Sequence, residues 1–420
     1  MKPKNIFYAQ SGGPTAVINA TAATLIQTAT SSPVLGKVYA GKNGIVGALR
    51  EELIDTSLES TSSIEQLKHT PGSAFGSCRY KLTDPNQDDT QYRRLLEVFK
   101  AHQIGYFFYN GGGDSQDTAH KISQFFAHQN YPLTVIGLPK TIDNDLPHTD
   151  CCPGFGSVAK YLASSIQGTA LDLKSMAETS TKVFILEVMG RHTGWIAASS
   201  ALSQRGATHA PHMILLPEVA FNSSHFLNKL QRTVEQEGHC VIVTSEGLRD
   251  EQGQFLTQSL ERDVFGHTQL GGIAPHLSRM ITQELGIKNQ WAVAGYLQRS
   301  ARYIASETDL DHACAIGKAA IELALSGINN VMLTIQRLST TPYQWNIGSV
   351  PLSSVANIEK MLPPHFIHED GFGVTQACLD YLQPLIEGQA PQPFEHGIPQ
   401  YTPLKNHLLD KKPLPIFEMD

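Results

Sequence analysis

Gly137-Leu138-Pro139-Lys140-Thr141-Ile142-Asp143-Asn144-Asp145 sets a lysine, a hydroxyl and two carboxylates directly beyond an apolar run, Leu133 to Leu138. Leu133, Val135, Ile136 and Leu138 read as a buried strand, because a short continuous apolar run bounded by turn residues suits a strand covered on both faces. In an open α/β sheet, ligands bind just outside the carboxyl ends of the strands, so this loop falls where a site is expected. Asp143 is placed to take a proton from a hydroxyl, Asp145 to hold a metal and Lys140 to neutralise a phosphate oxygen. Asp and Asn also stabilise plain turns by bonding their own backbone. The rest of the chain decides between the two readings.

The same strand-then-polar-loop pattern recurs on both sides. Ile6 to Ala9 precedes a helix around Ala16 to Gln27, and Ile104 to Tyr109 precedes one around Ser115 to Ala127. The second helix carries Ala119, Ile122, Phe125 and Phe126 on one stripe, with Asp117, Lys121 and Gln124 off it. Further strands are expected at Val183 to Met189, Met213 to Leu216, Val241 to Thr244 and Ala292 to Leu297. Helices are expected at Ser157 to Ile166, Trp195 to Leu202, Phe226 to Gln236 and His312 to Leu325. This alternation predicts an α/β fold with mostly parallel sheets. Every one of these strands except Met213 to Leu216 runs into a polar or glycine-rich cluster. The clusters are Ser11-Gly12-Gly13-Pro14, Asn110 to Ser115, the acidic loop, Gly190 to Gly194, Ser245-Glu246-Gly247 and Gln298-Arg299-Ser300. Together they predict one cleft ringed by strand ends, with Pro153-Gly154-Phe155-Gly156 as the crossing between two α/β units.

Composition narrows the function. A chain of 420 residues exceeds one ordinary core. With 32 basic against 39 acidic residues, net charge -7 and no long basic run, neither nucleic acid nor an anionic membrane surface is an expected partner. There is no apolar stretch of membrane-spanning length, and Ile6-Phe7-Tyr8-Ala9 is too short for a signal peptide, so a cytoplasmic location is expected. Six cysteines without a CxxC pair fit a reducing compartment, and Cys151 and Cys152 read as packing residues beside the acidic loop. His209 and His212 have no third ligand in view and read as ordinary packing or surface residues.

Ser11-Gly12-Gly13 and Gly111-Gly112-Gly113 each lie between a strand and a helix, where bare N–H groups and the helix dipole favour an anion. Two such turns converging with Lys140 point to a polyphosphate. Neither G-x-x-x-x-G-K-[ST] nor G-x-G-x-x-G after a strand occurs, which disfavours the familiar nucleotide folds.

Ser11-Gly12-Gly13, Gly112-Gly113-Asp114-Ser115, Pro139 to Asp145, Glu187-Val188-Met189-Gly190-Arg191 and Gly295-Tyr296-Leu297-Gln298-Arg299, in that order, resemble the phosphofructokinase family over roughly residues 5 to 325. The resemblance implies two Rossmann-like lobes with the active site in the cleft between them. It implies a phosphoryl-donor lobe of residues 1–155 with about 298–348, a sugar-phosphate lobe of 156–297 with about 349–390, and a proline-rich tail of 391–420 that wraps the surface or frays. Asp143 becomes the general base for the 1-hydroxyl of fructose 6-phosphate, and Thr141 and Arg191 stabilise the transferring group. Lys140 and Asp114 join the catalytic set. Met189, Gly190, Glu246, Tyr296, Arg299 and Lys182 bind the sugar phosphate, with Lys182 and Gln290 standing where relatives place arginines that reach a neighbouring subunit's site. Gly12, Gly13, Arg79, Gly112, Gly113 and Ser115 hold the donor. Mg²⁺ is the implied cofactor, with Asp114 and Asp145 as ligands because Gly113 replaces the family's usual aspartate. A homodimer or homotetramer is the implied assembly.

Asp114 before Ser115, Lys140 before Thr141 and Pro14 after Gly13 resemble the pyrophosphate-using branch. A carboxylate about 4 Å from the α-phosphate of ATP would repel it by about 4 kcal/mol at an effective dielectric near 20, whereas Lys140 suits a compact inorganic donor. The reaction so implied is reversible transfer from diphosphate to fructose 6-phosphate. Its alternatives are an ATP-dependent 6-phosphofructokinase and a catalytically silent sugar-phosphate-binding regulatory subunit.

Overall fold

Residues 3–206, 209–257 and 270–418 are described by the computed structural model; Met1 and Lys2, the start of the N-terminal stretch, lie outside them. In chain order the strands are β1 Lys4–Gln10, β2 Leu35–Gly41, β3 Leu53–Asp55, β4 Ile104–Gly111, β5 Thr134–Pro139, β6 Val183–Val188, β7 Met213–Leu215, β8 Cys240–Ser245, β9 Asn289–Val293, β10 Val331–Thr340 and β11 Tyr343–Pro351. They form a seven-stranded sheet in the order β11-β10-β5-β4-β1-β2-β3 and a four-stranded sheet in the order β7-β8-β6-β9. In the first sheet the inner strands are parallel, and β3 and β11 close its edges antiparallel. The second is parallel throughout. The chain crosses from one to the other through the helix Phe155–Met176, which follows Gly154.

Period-two alternation explains why consecutive positions in the middle of the inner strands are apolar. Ile6, Tyr8 and Phe108 pack on one face of the large sheet, while Phe7, Ala9, Phe107 and Tyr109 pack on the other. Helices cover both faces, so the middle of each strand is apolar, while Gln10 and Asn110 at the carboxyl ends are buried and hydrogen-bonded. The rings of Phe99 and Phe107 lie 5.2 and 5.5 Å from that of Phe7. Each such fully buried ring contributes about 1.5–3 kcal/mol.

The helix Gly113–His128 buries Ala119, Ile122, Phe125 and Phe126, the expected stripe. Asp117, off that stripe, is also buried: Asn357 Nδ2 donates to it at 3.1 Å and Lys121 Nζ at 2.7 Å. The strand expected at Ala292 to Leu297 ends at Val293, because Gly295 has φ +47° and Leu297–Ser300 is a turn of helix. A glycine at positive φ turns the chain out of the extended region. Beyond Ala390, the tail wraps the large sheet. Leu409 N–H donates to Leu53 O, Asp55 N–H to His407 O and Arg94 to Pro415 O. No helix among the described residues is long and apolar enough to cross a membrane.

Candidate active site

A cleft of about 670 Å³ opens where the carboxyl ends of strands from both sheets face each other. Ser11, Gly12, Gly13 and Pro14 enter it from β1, Gly112 to Ser115 from β4, Lys140 to Asp143 and Asp145 from β5, Met189 and Arg191 from β6, Glu246 from β8, and Tyr296 and Arg299 from the turn after β9. Arg79 lines it from a separate loop. All six clusters singled out in the sequence thus meet, and β7, which has no such cluster, contributes nothing to the wall.

The acidic loop is held by its own polar atoms. Thr141 Oγ1 accepts from Asp143 N–H at 3.0 Å and donates to Asp143 Oδ2 at 3.4 Å, which fixes the carboxylate toward the cleft. Asn144, fully buried with φ +54°, donates to Tyr381 Oη at 3.0 Å and accepts from Cys152 N–H at 3.1 Å. Cys151 and Cys152 are buried beneath this loop, as packing residues should be. Asp143 sits deep in the cleft. Burial pushes its carboxyl well above the ordinary carboxylate range, and Asp145 and Glu246 add repulsion in the same direction. A carboxylate so tuned binds a proton more tightly than an exposed one, which suits a general base.

Opposite the base, cations gather over the first glycine turn. Lys140 Nζ, 3% exposed as a residue, donates to Gly13 O at 2.8 Å, and a methyl group on Gly12 would lie 3.4 Å from it. A methyl group on Gly13 would overlap Arg299 Nη1 and lie 3.8 Å from Arg79 Nη2. The Arg299 guanidinium thus packs directly on Gly13, with Arg79 at ordinary contact distance from the same position. The turn is fixed by Gly12 N–H donating to Cys78 O at 2.9 Å and by Ser77 Oγ donating to Gly12 O at 2.6 Å. Burial, with the nearby Arg299 and Arg79, lowers the Lys140 ammonium to about 8 against the pull of Asp143. Like charges held this close repel, so an anion between them is strongly favoured.

Around the second glycine turn, Gly112 precedes the helix Gly113–His128, and Ser115 is buried at its first turn. Asp114 is 43% exposed in its side chain and pairs with Lys81 Nζ at 3.6 Å, a partner not expected from the sequence. A signal for it exists: Lys81 follows Arg79 by two positions.

On the other wall, Gly190 does not line the cleft but shapes it. Its φ of +132° lets its carbonyl accept from Ser245 Oγ, and a side chain there would press on Thr193 O. Glu246 is pushed upward by burial, offset by the Gly190 N–H. Glu187 caps the helix Ile273–Leu285 by accepting from Gly272 and Ala274 N–H at 3.1 and 2.9 Å, a structural role. Tyr296 is 68% exposed at the rim, with the Arg299 guanidinium 3.8 Å above its ring. Arg299 thereby spans from Tyr296 at the rim to the first glycine turn. Lys182 is outside the cleft. It precedes β6, whose other end carries Met189, and six residues of strand separate the two by about 20 Å.

For a divalent cation, the donor chemistry is hard oxygen. Asp145 Oδ1 is buried and makes no hydrogen bond, an orphaned carboxylate oxygen beside the cleft. Among the described residues, no group of three or more His, Cys, Asp or Glu gathers to hold a metal. Mg²⁺ commonly takes one or two carboxylates and completes its shell with phosphate oxygens and water, so Asp145 fits such an ion.

Residues 5–323 match the family described as Phosphofructokinase. Over all 420 residues, and over the whole of the relative, the chain is 55% identical to the pyrophosphate--fructose 6-phosphate 1-phosphotransferase of Halomonas elongata. It is 54% identical to the protein of that name from Methylococcus capsulatus, over 98% of each chain. The crystal structure of a pyrophosphate-dependent phosphofructokinase from Marinobacter aquaeolei superposes with a TM-score of 0.91 at 56% identity, covering 99% of this chain and 100% of that one. The ordered motifs, the two facing sheets and the cleft between them agree with these likenesses, and the chain belongs to the phosphofructokinase family.

Proposed function

We propose that the cleft transfers a phosphoryl group from inorganic diphosphate to the 1-hydroxyl of fructose 6-phosphate, giving fructose 1,6-bisphosphate and orthophosphate. The observation that carries this reading is the compact cationic nest: Lys140 on Gly13 O, with Arg79 and Arg299 over the same turn. It suits a short, densely charged donor. The relatives' names point to the same pair of substrates.

In this reading Asp143 accepts the proton of the 1-hydroxyl as its oxygen attacks the terminal phosphorus, and Thr141 keeps the carboxylate aimed. The P–O bond to the leaving phosphate breaks, and Lys140 and Arg79, with the N–H groups around Gly12, Gly13, Gly112, Gly113 and Ser115, take up its charge. Arg191 lies across the cleft to steady the transferring group, while Met189, Glu246, Tyr296 and Arg299 hold the sugar phosphate. Asp145 would hold Mg²⁺, which when bound neutralises charge on the donor oxygens. Of the two carboxylates expected as ligands, Asp114 is engaged by Lys81 and serves better as a filter on the donor. Because phosphate rather than ADP leaves, the reaction runs both ways and can serve glycolysis or gluconeogenesis in the cytoplasm. Lys182 and the exposed β9 edge, with Trp291 and Val293 45% and 48% exposed, support a homodimer or homotetramer in which Lys182 serves a neighbour's cleft.

Phosphorus NMR of the purified enzyme tests the reaction. Diphosphate should give equimolar orthophosphate and fructose 1,6-bisphosphate; orthophosphate without the sugar bisphosphate would mean hydrolysis and defeat the proposal. A second expectation concerns Arg299→Ala. From sequence it would affect only the sugar end. With the guanidinium against Gly13, KM for fructose 6-phosphate should rise about 10–100-fold, the loss of a charge-assisted hydrogen bond, and KM for diphosphate several-fold as well. An unchanged diphosphate KM would confine Arg299 to the sugar side.

A further inference from the structure

The segment Glu359 to Leu362 lies beyond residues 5–323, the part of the chain that matches the family, yet it touches both loops that carry the chemistry. Lys360 N–H donates to Asp145 O at 2.6 Å, and Lys360 Nζ donates to Thr149 O and Asp150 O at 3.0 and 2.9 Å. Its carbonyl accepts from Trp195 Nε1 at 2.9 Å, and its ammonium lies 5.2 Å from the centre of the Trp195 ring. One residue earlier, Glu359 pairs with His192 Nδ1 at 2.9 Å, next to Arg191. Two residues later, Leu362 N–H donates at 3.1 Å to Glu218 Oε1, which also accepts from Gly194 N–H at 2.9 Å. The acidic loop and the Arg191 loop are thus tied at three points to one short strip of chain. Among the described residues, the direct polar contact between the two loops is a weak one, Thr193 Oγ1 to Asp143 O at 3.4 Å.

We propose that Glu359 and Lys360 are positioning residues: they clasp the loop bearing Asp143 and Asp145 to the loop bearing Arg191, and so set the distance between the base and the cation that steadies the transferring group. Neither residue lines the cleft, so neither contacts substrate. The two loops come from different sheets, β5 from the seven-stranded and β6 from the four-stranded, and a link between them resists relative movement of the two walls. Proximity effects decay steeply with misplacement, and about 1 Å can cost 10²-fold in rate, so loosening the clasp lowers turnover before it lowers binding. The inference rests on the phosphoryl-transfer reading above.

Steady-state kinetics of Lys360→Met, Lys360→Arg and Glu359→Ala, with both substrates varied, tests it. Met keeps the stem over Trp195 and removes the ammonium that bonds the Thr149 and Asp150 carbonyls; Arg returns a cation. The expected result is a fall in kcat of at least fivefold in Lys360→Met and Glu359→Ala, KM for each substrate within twofold of wild type, and recovery of most of kcat in Lys360→Arg. Hydrogen exchange should quicken at residues 139–146 and 190–194 and stay unchanged in β7 and β8. Glu359 is exposed, so its variant is expected to fold even where a Lys360 variant does not. Unchanged kcat in Glu359→Ala, a rise in KM alone, or exchange that quickens everywhere would overturn the clasp. A wild type without diphosphate-dependent turnover would instead overturn the underlying reaction, and the clasp with it.

Discussion

Asp143→Asn is expected to lower kcat by about 10²–10⁴ while leaving both KM values within a few-fold of wild type. The amide keeps the size of the side chain and can still accept from Thr141 Oγ1, so the loop retains its shape. It cannot take the proton of the 1-hydroxyl. The deep site, with Asp145 and Glu246 as neighbours, raises the proton affinity of the native carboxylate. The measurement is turnover with saturating diphosphate and fructose 6-phosphate, beside a melting curve to confirm folding. Near-normal turnover in a folded variant would remove Asp143 from the role of base.

The second large effect concerns donor choice. Sequence suggests that Asp114 and Lys140 act together, and the structure weights them unequally. Asp114 is 43% exposed and paired with Lys81, so its repulsion of a nucleotide's α-phosphate is screened below the value for an unpaired carboxylate. Lys140 is buried, bonded to Gly13 O and central to the nest. Lys140→Gly should therefore lower diphosphate-dependent kcat/KM by about 10²-fold or more, on the scale of losing a transition-state charge contact. Asp114→Gly alone should lose some diphosphate activity and gain little with ATP. The double variant should lose most diphosphate activity and gain measurable ATP-dependent turnover, more than the two single changes predict together, because both sites meet one donor. Kinetics of all four proteins with each donor decides it. Unchanged donor preference in the double variant would refute this basis for selectivity.

Much of this site is legible in the sequence, and the reason is local. A strand buried on both faces must be apolar throughout, and its site-bearing loop must be polar and permissive, so each junction is marked twice: at Ala9 to Gly12, Tyr109 to Gly112 and Leu138 to Lys140. The strands at the sheet edges lack that mark. β11 at one edge, and β10 beside it from Gln336 onward, are exposed or partly exposed at every position, so neither of these stretches shows a continuous apolar run. The helix Thr90–Ala101 buries Tyr92, Leu95, Leu96 and Phe99 at helical spacing, a signal that the strand-and-loop pattern passes over. The strand end at Val293 depends on one glycine φ, which sequence does not specify.

What sequence spacing cannot show is contact between distant segments. Arg299 across Gly13 and Lys360 beside Asp145 join parts of the chain that carry no shared period. Arg299 is the instructive case. Read as a residue of the turn after β9, it is expected at the sugar end; packed over its own Tyr296, it reaches the first glycine turn, after β1 of the opposite sheet.

In the proposed reading, this cleft is built for a compact inorganic donor. Initial rates with diphosphate, ATP, GTP and tripolyphosphate, each at saturating fructose 6-phosphate and Mg²⁺, together with the reverse reaction from fructose 1,6-bisphosphate and orthophosphate, test it most directly. Turnover with diphosphate should be fast in both directions, with at least 10²-fold lower kcat/KM for either nucleotide, as expected where a buried lysine fills the donor pocket. A protein that prefers ATP, or that makes fructose 1,6-bisphosphate from no donor in the panel, would contradict it.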